Sequence, residues 1–172
     1  MKRLSSVARV HVAGFQTERG MAQYFANQLQ YLRPGVQVVD LAGGNFIDVL
    51  LESTRDSALV IFESRRYSRL ALDLAREAKQ ARIPTTLVTD TRCNWGHDLV
   101  DEMFLVPTEF NMFWDSSAQM ASFNNLLINE IFKELGPAVE KRMNQVAKLY
   151  GRFTGHVAEP GRPGNGSGNG SA

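Results

Sequence analysis

The sequence has 172 residues, of which 44% are hydrophobic and 22% are charged, and its formal net charge is +1. This length suits one domain with a substantial core and leaves no room for a second domain of similar size. The near-neutral charge excludes a global field that would attract nucleic acid or an anionic membrane.

The single cysteine, Cys93, excludes an intrachain disulfide and fits a reducing compartment. No apolar run approaches the roughly 20 residues that a membrane-spanning helix requires. The N-terminus is basic but lacks the sustained apolar stretch of a signal peptide. We therefore expect a cytoplasmic protein without a membrane segment.

Predicted strands and helices alternate along the first half of the chain. Residues 9–14 form a short β-branched run closed by Gly14, which predicts a buried strand, and residues 17–32 predict a helix. Residues 36–41 predict a second strand, which Gly43-Gly44 and a short helix over residues 47–51 follow.

The second half continues the alternation. Residues 57–62, SALVIF, are apolar at nearly every position, as expected for a parallel strand that is covered on both faces. One helical stripe follows and carries Tyr67, Ala71, Leu74, Ala75 and Ala78. Residues 85–89 and 102–106 predict two more strands, and long helical segments run from Asp115 to about residue 135 and then to about residue 150.

This order predicts an α/β fold: a three-layer α/β/α sandwich on a five-stranded parallel sheet. We assign residues 1–157 to one domain. Residues 158–172 are rich in Gly, Ser, Asn and Pro, and we expect a disordered tail. Ligands of such sheets bind outside the carboxyl ends of the strands, where residues 14–19, 63–68 and 89–95 fall.

The segment after the third strand, ESRRYS, is the main candidate for an anion site. If Ser64 caps the next helix, the backbone N–H groups of Arg65, Arg66 and Tyr67 point outward and can bind a phosphate oxygen. Ser64 and Ser68 would add hydroxyl donors. On spacing alone, a capping serine followed by solvated arginines is the commoner arrangement.

Two further segments flank this candidate site. Gln16 and Thr17 offer an amide and a hydroxyl after Gly14, although an ordinary capped helix would look the same, and neither a dinucleotide fingerprint nor a Walker loop is present. Asp90 could hold a sugar hydroxyl or, more commonly, fix a loop. Cys93 and His97 lie in one loop, which is weak evidence for catalysis. His11 fits a packed or interface position. We expect no metal and no cofactor.

Residues 109–117, EFNMFWDSS, place three aromatic residues and a methionine before a helix. If these side chains are exposed, they mark an interface or a ligand cleft; the alternative is a loop folded into its own core. Asp115 or Ser116 can cap the helix that follows.

The segments RVHVAGF, YLRPGVQVV, DSALVIFESRRYSRLALDLAREAKQARIPTTLVTD and DEMFLVPTEFNMFWDSSAQMASFNNLLINEI together resemble the sugar isomerase (SIS) domain of RpiR-type transcriptional regulators, over about residues 7–135. The resemblance implies a five-stranded α/β/α sandwich that dimerises and binds phosphorylated sugars at the strand carboxyl ends. In the regulators such a domain senses a sugar phosphate, and an N-terminal helix-turn-helix domain binds DNA. Enzymes with this domain isomerise sugar phosphates.

Two loops depart from the family pattern. The family's phosphate loop often has the sequence Ser-x-Ser-Gly-x-Thr/Ser, whereas this chain has Glu63 at its start and Arg66 in place of the glycine. The first loop carries Glu18. Either carboxylate would repel phosphate unless an arginine pairs with it, so the ligand could instead be a less charged sugar or a sugar acid, or binding could be lost.

The resemblance leads us to expect a phosphosugar-sensing homodimer or higher homo-oligomer that lacks its helix-turn-helix domain in this chain and does not bind specific DNA alone. The expected ligand contacts are Gln16, Thr17, Ser64, Arg65, Arg66, Ser68 and Asp90, with no catalytic residue. The alternative is a stand-alone phosphosugar isomerase, for which Glu63, Glu109, Asp115 and His97 are the possible bases. A third possibility is a dimerisation module with a lost pocket. The candidate dimer contact is the loop over residues 110–114 with the helix from Asp115.

Overall fold

Five parallel strands form a single sheet in the computed structural model, which describes residues 2–40, 47–51 and 56–153. The strands are β1 (Arg9–Gly14), β2 (Val36–Val39), β3 (Ser57–Phe62), β4 (Thr85–Asp90) and β5 (Glu102–Val106). Their order in the sheet is β2-β1-β3-β4-β5, and each neighbouring pair is parallel. The carboxyl ends of all five strands therefore lie along one edge.

Helices cover both faces of this sheet. They are α1 (Lys2–Ser6), α2 (Arg19–Leu32), α3 (Asp48–Leu51), α4 (Arg69–Gln80), α5 (Ala118–Leu135) and α6 (Ala138–Tyr150), with a 3₁₀ turn at Gln16–Glu18. On one face, Phe25 of α2 and Ile131 of α5 belong to the same buried cluster as Val60 of β3. On the other face, Leu74 of α4 packs with Ile61. The predicted three-layer α/β/α architecture is confirmed.

The central strand β3 shows why the sequence pattern predicts this fold. Val60 and Phe62 join the cluster under α2 and α5, whereas Leu59 and Ile61 join the cluster under α4, because successive side chains of a strand point to opposite faces. All six residues of β3 are buried. A strand that is covered on both faces must be apolar throughout, as residues 57–62 are.

Most of the predicted strand boundaries are confirmed. The strands at residues 9–14, 57–62 and 102–106 match, and the fourth extends one residue further, to Asp90. The second ends at Val39 within the described residues. Positions 41–46, with Gly43-Gly44, and the predicted tail at 158–172 lie outside the described residues.

Three helix starts differ from prediction, and one helix was not predicted. Helix α2 begins at Arg19 after the 3₁₀ turn, α4 begins at Arg69, and α5 begins at Ala118. The N-terminal helix α1 was not predicted, because it carries a single buried apolar residue, Leu4. Within the described ranges, no helix is long and apolar enough to span a membrane.

Candidate functional site

A cavity of about 380 Å³ opens at the carboxyl edge of the sheet, and we call it the carboxyl-edge cavity. The segments that follow β1, β3 and β5 form its walls, as expected for a ligand site on a parallel sheet. Its polar lining comprises Gln16, Thr17, Glu18, Ser64, Arg65, Arg66, Thr108, Asp115, Ser116 and Ser117, and its apolar lining comprises Met21, Met112, Phe113, Trp114 and Met120.

A close approach between β1 and α2 shapes the first wall. A Cβ atom at Gly14 would clash with the carbonyl oxygen of Glu18 and the side chain of Ala22, so only glycine lets the chain turn here. The turn places Gln16, Thr17 and Glu18 along the cavity. The predicted role of Gly14 in a tight strand-to-helix turn is confirmed.

Asp90 fixes the loop that follows β3. Its carboxylate accepts hydrogen bonds from the backbone N–H of Arg65, from the hydroxyl of Tyr67 at 2.8 Å and from the backbone N–H of Arg92 at 2.7 Å. The residue is 2% exposed and does not line the cavity. Of the two roles considered for Asp90, the structure shows the loop-fixing one.

The prediction that Ser64 caps the following helix is wrong. Ser68 is the N-cap, and its hydroxyl accepts the backbone N–H of Leu70 at 3.2 Å. The chain cannot enter the helix earlier because Arg66 has a φ of 57°, in the left-handed region that favours glycine. The backbone N–H groups of Arg65, Arg66 and Tyr67 are therefore not the first donors of α4, and Ser68 lies behind the cavity wall.

Glu63 lies under this loop and is 2% exposed. Its Oε1 atom accepts the backbone N–H of Ser68 at 2.8 Å, whereas Oε2 has no hydrogen-bond partner among the described residues. Burial raises the pKa of Glu63 to about 8, the hydrogen bond from Ser68 lowers it, and the charges of Glu18 and Asp90 raise it further. At neutral pH the carboxyl is therefore mostly protonated, and Glu63 is not a fixed negative charge beneath the site.

The two arginines of the loop have different partners. Arg65 donates to Glu109 at 3.1 Å and to Asp115 at 2.9 Å, so it ties the β3–α4 loop to the segment after β5. The guanidinium of Arg66 lies 5.3 Å from the ring centroid of Trp114, a cation–π distance. Within the described part of the chain, Arg66 forms no ion pair.

Five of the seven predicted contact residues come together at the cavity: Gln16, Thr17, Ser64, Arg65 and Arg66. Ser68 and Asp90 lie behind its wall. The sequence did not single out Thr108, Ser116 and Ser117 as part of the lining. Their signal was the unusual composition of residues 109–117, which predicts a cleft or an interface without saying which.

The remaining candidate residues lie elsewhere. Cys93 is 5% exposed, and His97 lines a different cavity, near the amino ends of β4 and β5, with Lys79 and Arg82. His11 is 1% exposed, in agreement with a packed histidine. In residues 2–40, 47–51 and 56–153, no group of three or more His, Cys, Asp or Glu side chains could hold a metal ion.

A doubly covered parallel sheet with a polar cavity at its carboxyl edge defines a class of small-molecule-binding α/β domains. The family model of the SIS domain matches residues 3–130, and the chain belongs to this family. No curated protein matches the sequence.

Solved structures show the same fold at low sequence identity. The sugar isomerase domain of the RpiR transcription factor from Sphaerobacter thermophilus is 18% identical, with a TM-score of 0.73, over 87% of this chain and 81% of that one. NanR of Vibrio vulnificus, complexed with ManNAc-6P, is 14% identical, with a TM-score of 0.74, over 92% of this chain and 60% of that one. A protein of E. coli CFT073 in complex with a phosphosugar is 10% identical, with a TM-score of 0.65, over 87% of this chain and 80% of that one.

Proposed function

We propose that this SIS domain binds a sugar phosphate in the carboxyl-edge cavity and is the sensor domain of an RpiR-like transcriptional regulator in the cytoplasm. The observation that carries the proposal is Arg66. It lines the cavity beside the hydroxyl-bearing residues Thr17 and Ser64 and has no carboxylate partner among the described residues. Guanidinium and hydroxyl donors together suit a phosphate group.

The rest of the cavity suits a sugar. The amide of Gln16 and the hydroxyls of Ser116 and Ser117 can hydrogen-bond sugar hydroxyls, while Met21 and Trp114 offer apolar surface to the ring. A pocket with a few convergent polar groups on an apolar lining is typical of small-molecule sites. Ser68 and Asp90 contribute by holding the loop that carries Ser64, Arg65 and Arg66.

The structural neighbours support the same class of ligand. NanR was solved with ManNAc-6P, and the E. coli protein was also solved with a phosphosugar. NanR and the RpiR protein support a regulator, because their fold is the one that this chain adopts. In a regulator, the ligand must bind one arrangement of the protein more tightly than the other, and an attached DNA-binding domain would respond to that difference.

The geometry favours binding over isomerisation. A general base must lie within hydrogen-bond reach of the proton that it removes. Glu63 is buried under the loop, Glu109 and Asp115 are paired with Arg65, and His97 lines another cavity. None of the four candidate bases therefore stands unpaired in the carboxyl-edge cavity.

Thermal unfolding in the presence of phosphorylated sugars, amino sugars and sugar acids tests the proposal. A ligand at about 100 times its dissociation constant stabilises the fold by roughly 2.7 kcal/mol, which raises the unfolding midpoint clearly. We expect Arg66→Ala and Ser64→Ala to abolish this rise. Arg76→Ala is the matched control, because Arg76 lies on the exposed surface of α4 and pairs only weakly with Asp73, at 3.6 Å.

Two results would contradict the proposal. A well-folded protein whose midpoint no phosphosugar raises would not be a phosphosugar sensor. If Arg66→Ala and Ser64→Ala respond to the ligand as the wild type does, the ligand binds outside the carboxyl-edge cavity.

A further inference from the structure

The two hydroxyls that the proposed phosphate site needs are already engaged by a side chain of the protein. The hydroxyl of Thr17 donates to Oε2 of Glu18, and the hydroxyl of Ser64 donates to Oε1 of the same carboxylate. Glu18 itself lines the carboxyl-edge cavity. A carboxylate thus occupies the position between the β1 and β3 loops where an anionic ligand group would find these donors.

We propose that Glu18 is an internal competitor for the anionic group of the ligand and thereby sets the affinity and charge preference of the site, an inference that rests on the proposed function. Each hydroxyl has one proton to donate, so Thr17 and Ser64 cannot serve Glu18 and a ligand oxygen at the same time. The negative charge of Glu18 also opposes a second anion at this short range.

Glu18 is placed so that it can leave the site. It ends the 3₁₀ turn before α2 and is partly exposed. Its two contacts with hydroxyls hold its side chain, and among the described residues it forms no ion pair. The neighbouring Arg19 pairs with Asp40 instead. Rotation of the Glu18 side chain toward solvent therefore releases both hydroxyls without a change in the backbone.

The other cations near the cavity do not offset this competitor. Arg65 is already held between Glu109 and Asp115, and Arg92 also pairs with Glu109. Arg66 lies over Trp114 and provides the attraction for a ligand anion. The ligand's negative charge must therefore outweigh Glu18 with the help of Arg66, which makes Glu18 a determinant of how strongly anionic ligands bind.

Replacement of Glu18 by glutamine tests the inference, because glutamine keeps the shape and one acceptor oxygen while it removes the charge. Titration calorimetry at low ionic strength would use inorganic phosphate and a hexose 6-phosphate as anionic probes and the unphosphorylated hexose as the neutral probe. We expect Glu18→Gln to bind the anionic probes at least about tenfold more tightly than the wild type and to leave the affinity for the neutral probe unchanged.

Glu134→Gln is the matched control. Glu134 is exposed and lies near the far end of α5, about 25 Å along the helix from its start beside the cavity, so it makes the same change in net charge without touching the site. We expect its affinities to equal those of the wild type. A similar gain in Glu134→Gln would mean that net charge alone is responsible, and it would overturn the inference.

The outcomes separate this inference from the proposed function. If the wild type binds the hexose 6-phosphate and Glu18→Gln binds it equally or more weakly, the proposed function stands and the inference is overturned. If only Glu18→Gln binds, the inference is supported and the wild-type chain is not a sensor of that ligand. If neither protein binds any anionic probe, both the inference and the proposed function fail.

Discussion

Glu63 is a carboxyl group whose ionisation the fold opposes. Its pKa is raised from 4.5 to about 8 because it is buried and because Glu18 and Asp90 lie nearby. Between these two values the unfolded chain has released its proton and the folded chain retains it, so folded protein binds more protons. The free energy of unfolding therefore falls as the pH rises from about 4.5 to about 8, and this contribution levels off above that range.

The substitution Glu63→Gln removes this pH dependence. Glutamine still accepts the backbone N–H of Ser68 and carries no charge, so the variant should be more stable than the wild type at pH 9, by more than about 1 kcal/mol, since one pKa unit corresponds to about 1.4 kcal/mol. The advantage should vanish near pH 4.5. Urea unfolding at a series of pH values measures this difference.

The control for this series is Glu134→Gln, since Glu134 is exposed. Its free energy of unfolding should follow that of the wild type at every pH. Parallel pH profiles for Glu63→Gln and the wild type would show that Glu63 is ionised in the folded protein and would refute the argument.

At the scale of elements, the segment between β5 and α5 carries exposed apolar side chains. Met112 is 62% exposed, Phe113 98% and Trp114 55%. Arg65 holds both ends of this segment, through Glu109 and Asp115. An apolar patch that is held in place on the surface indicates a partner surface, and we propose that it contributes to a homodimer.

The double substitution Phe113→Asp and Trp114→Asp should shift a dimer toward monomer in analytical ultracentrifugation, because two charges cannot be buried unpaired in an apolar contact. Phe153→Asp is the control, since Phe153 is 83% exposed but follows α6. A double variant that sediments like the wild-type dimer would place the interface elsewhere.

Local patterns predicted the elements better than the contacts between them. The strands were predictable because a doubly covered parallel strand has to be apolar, whereas α1 has only Leu4 to signal its burial. That helix is held from a distance: the guanidinium of Arg33 donates to the carbonyl oxygens of Leu4, Val7 and Ala8. No spacing within residues 2–6 carries this information.

The site shows the same limit. Its hydroxyls and arginines were predictable as residue types in loops at the carboxyl edge. Their partners were not, because Ser64 meets Glu18 across 46 positions and Arg65 meets Asp115 across 50. Such contacts depend on the order of strands in the sheet, which brings the ends of β1, β3 and β5 to one edge.

At the scale of the whole molecule, the described residues form one sheet with its two helical layers, and this architecture is accounted for without a DNA-binding element. The formal net charge of +1 also provides little general attraction for DNA. We therefore expect these 172 residues to give no sequence-specific retention in a mobility-shift assay at physiological salt. A specific shift that survives excess competitor DNA would contradict this expectation.

The position of Arg66 over Trp114 gives the protein a built-in optical signal. The sequence contains two tryptophans, and the other, Trp95, packs edge-on against Tyr67 rather than against a cation. A ligand that draws Arg66 away from the indole ring would alter the intrinsic emission of Trp114 while that of Trp95 stays constant. Occupancy of the cavity can therefore be followed by fluorescence without a label, and Trp114→Phe identifies the ring that reports it.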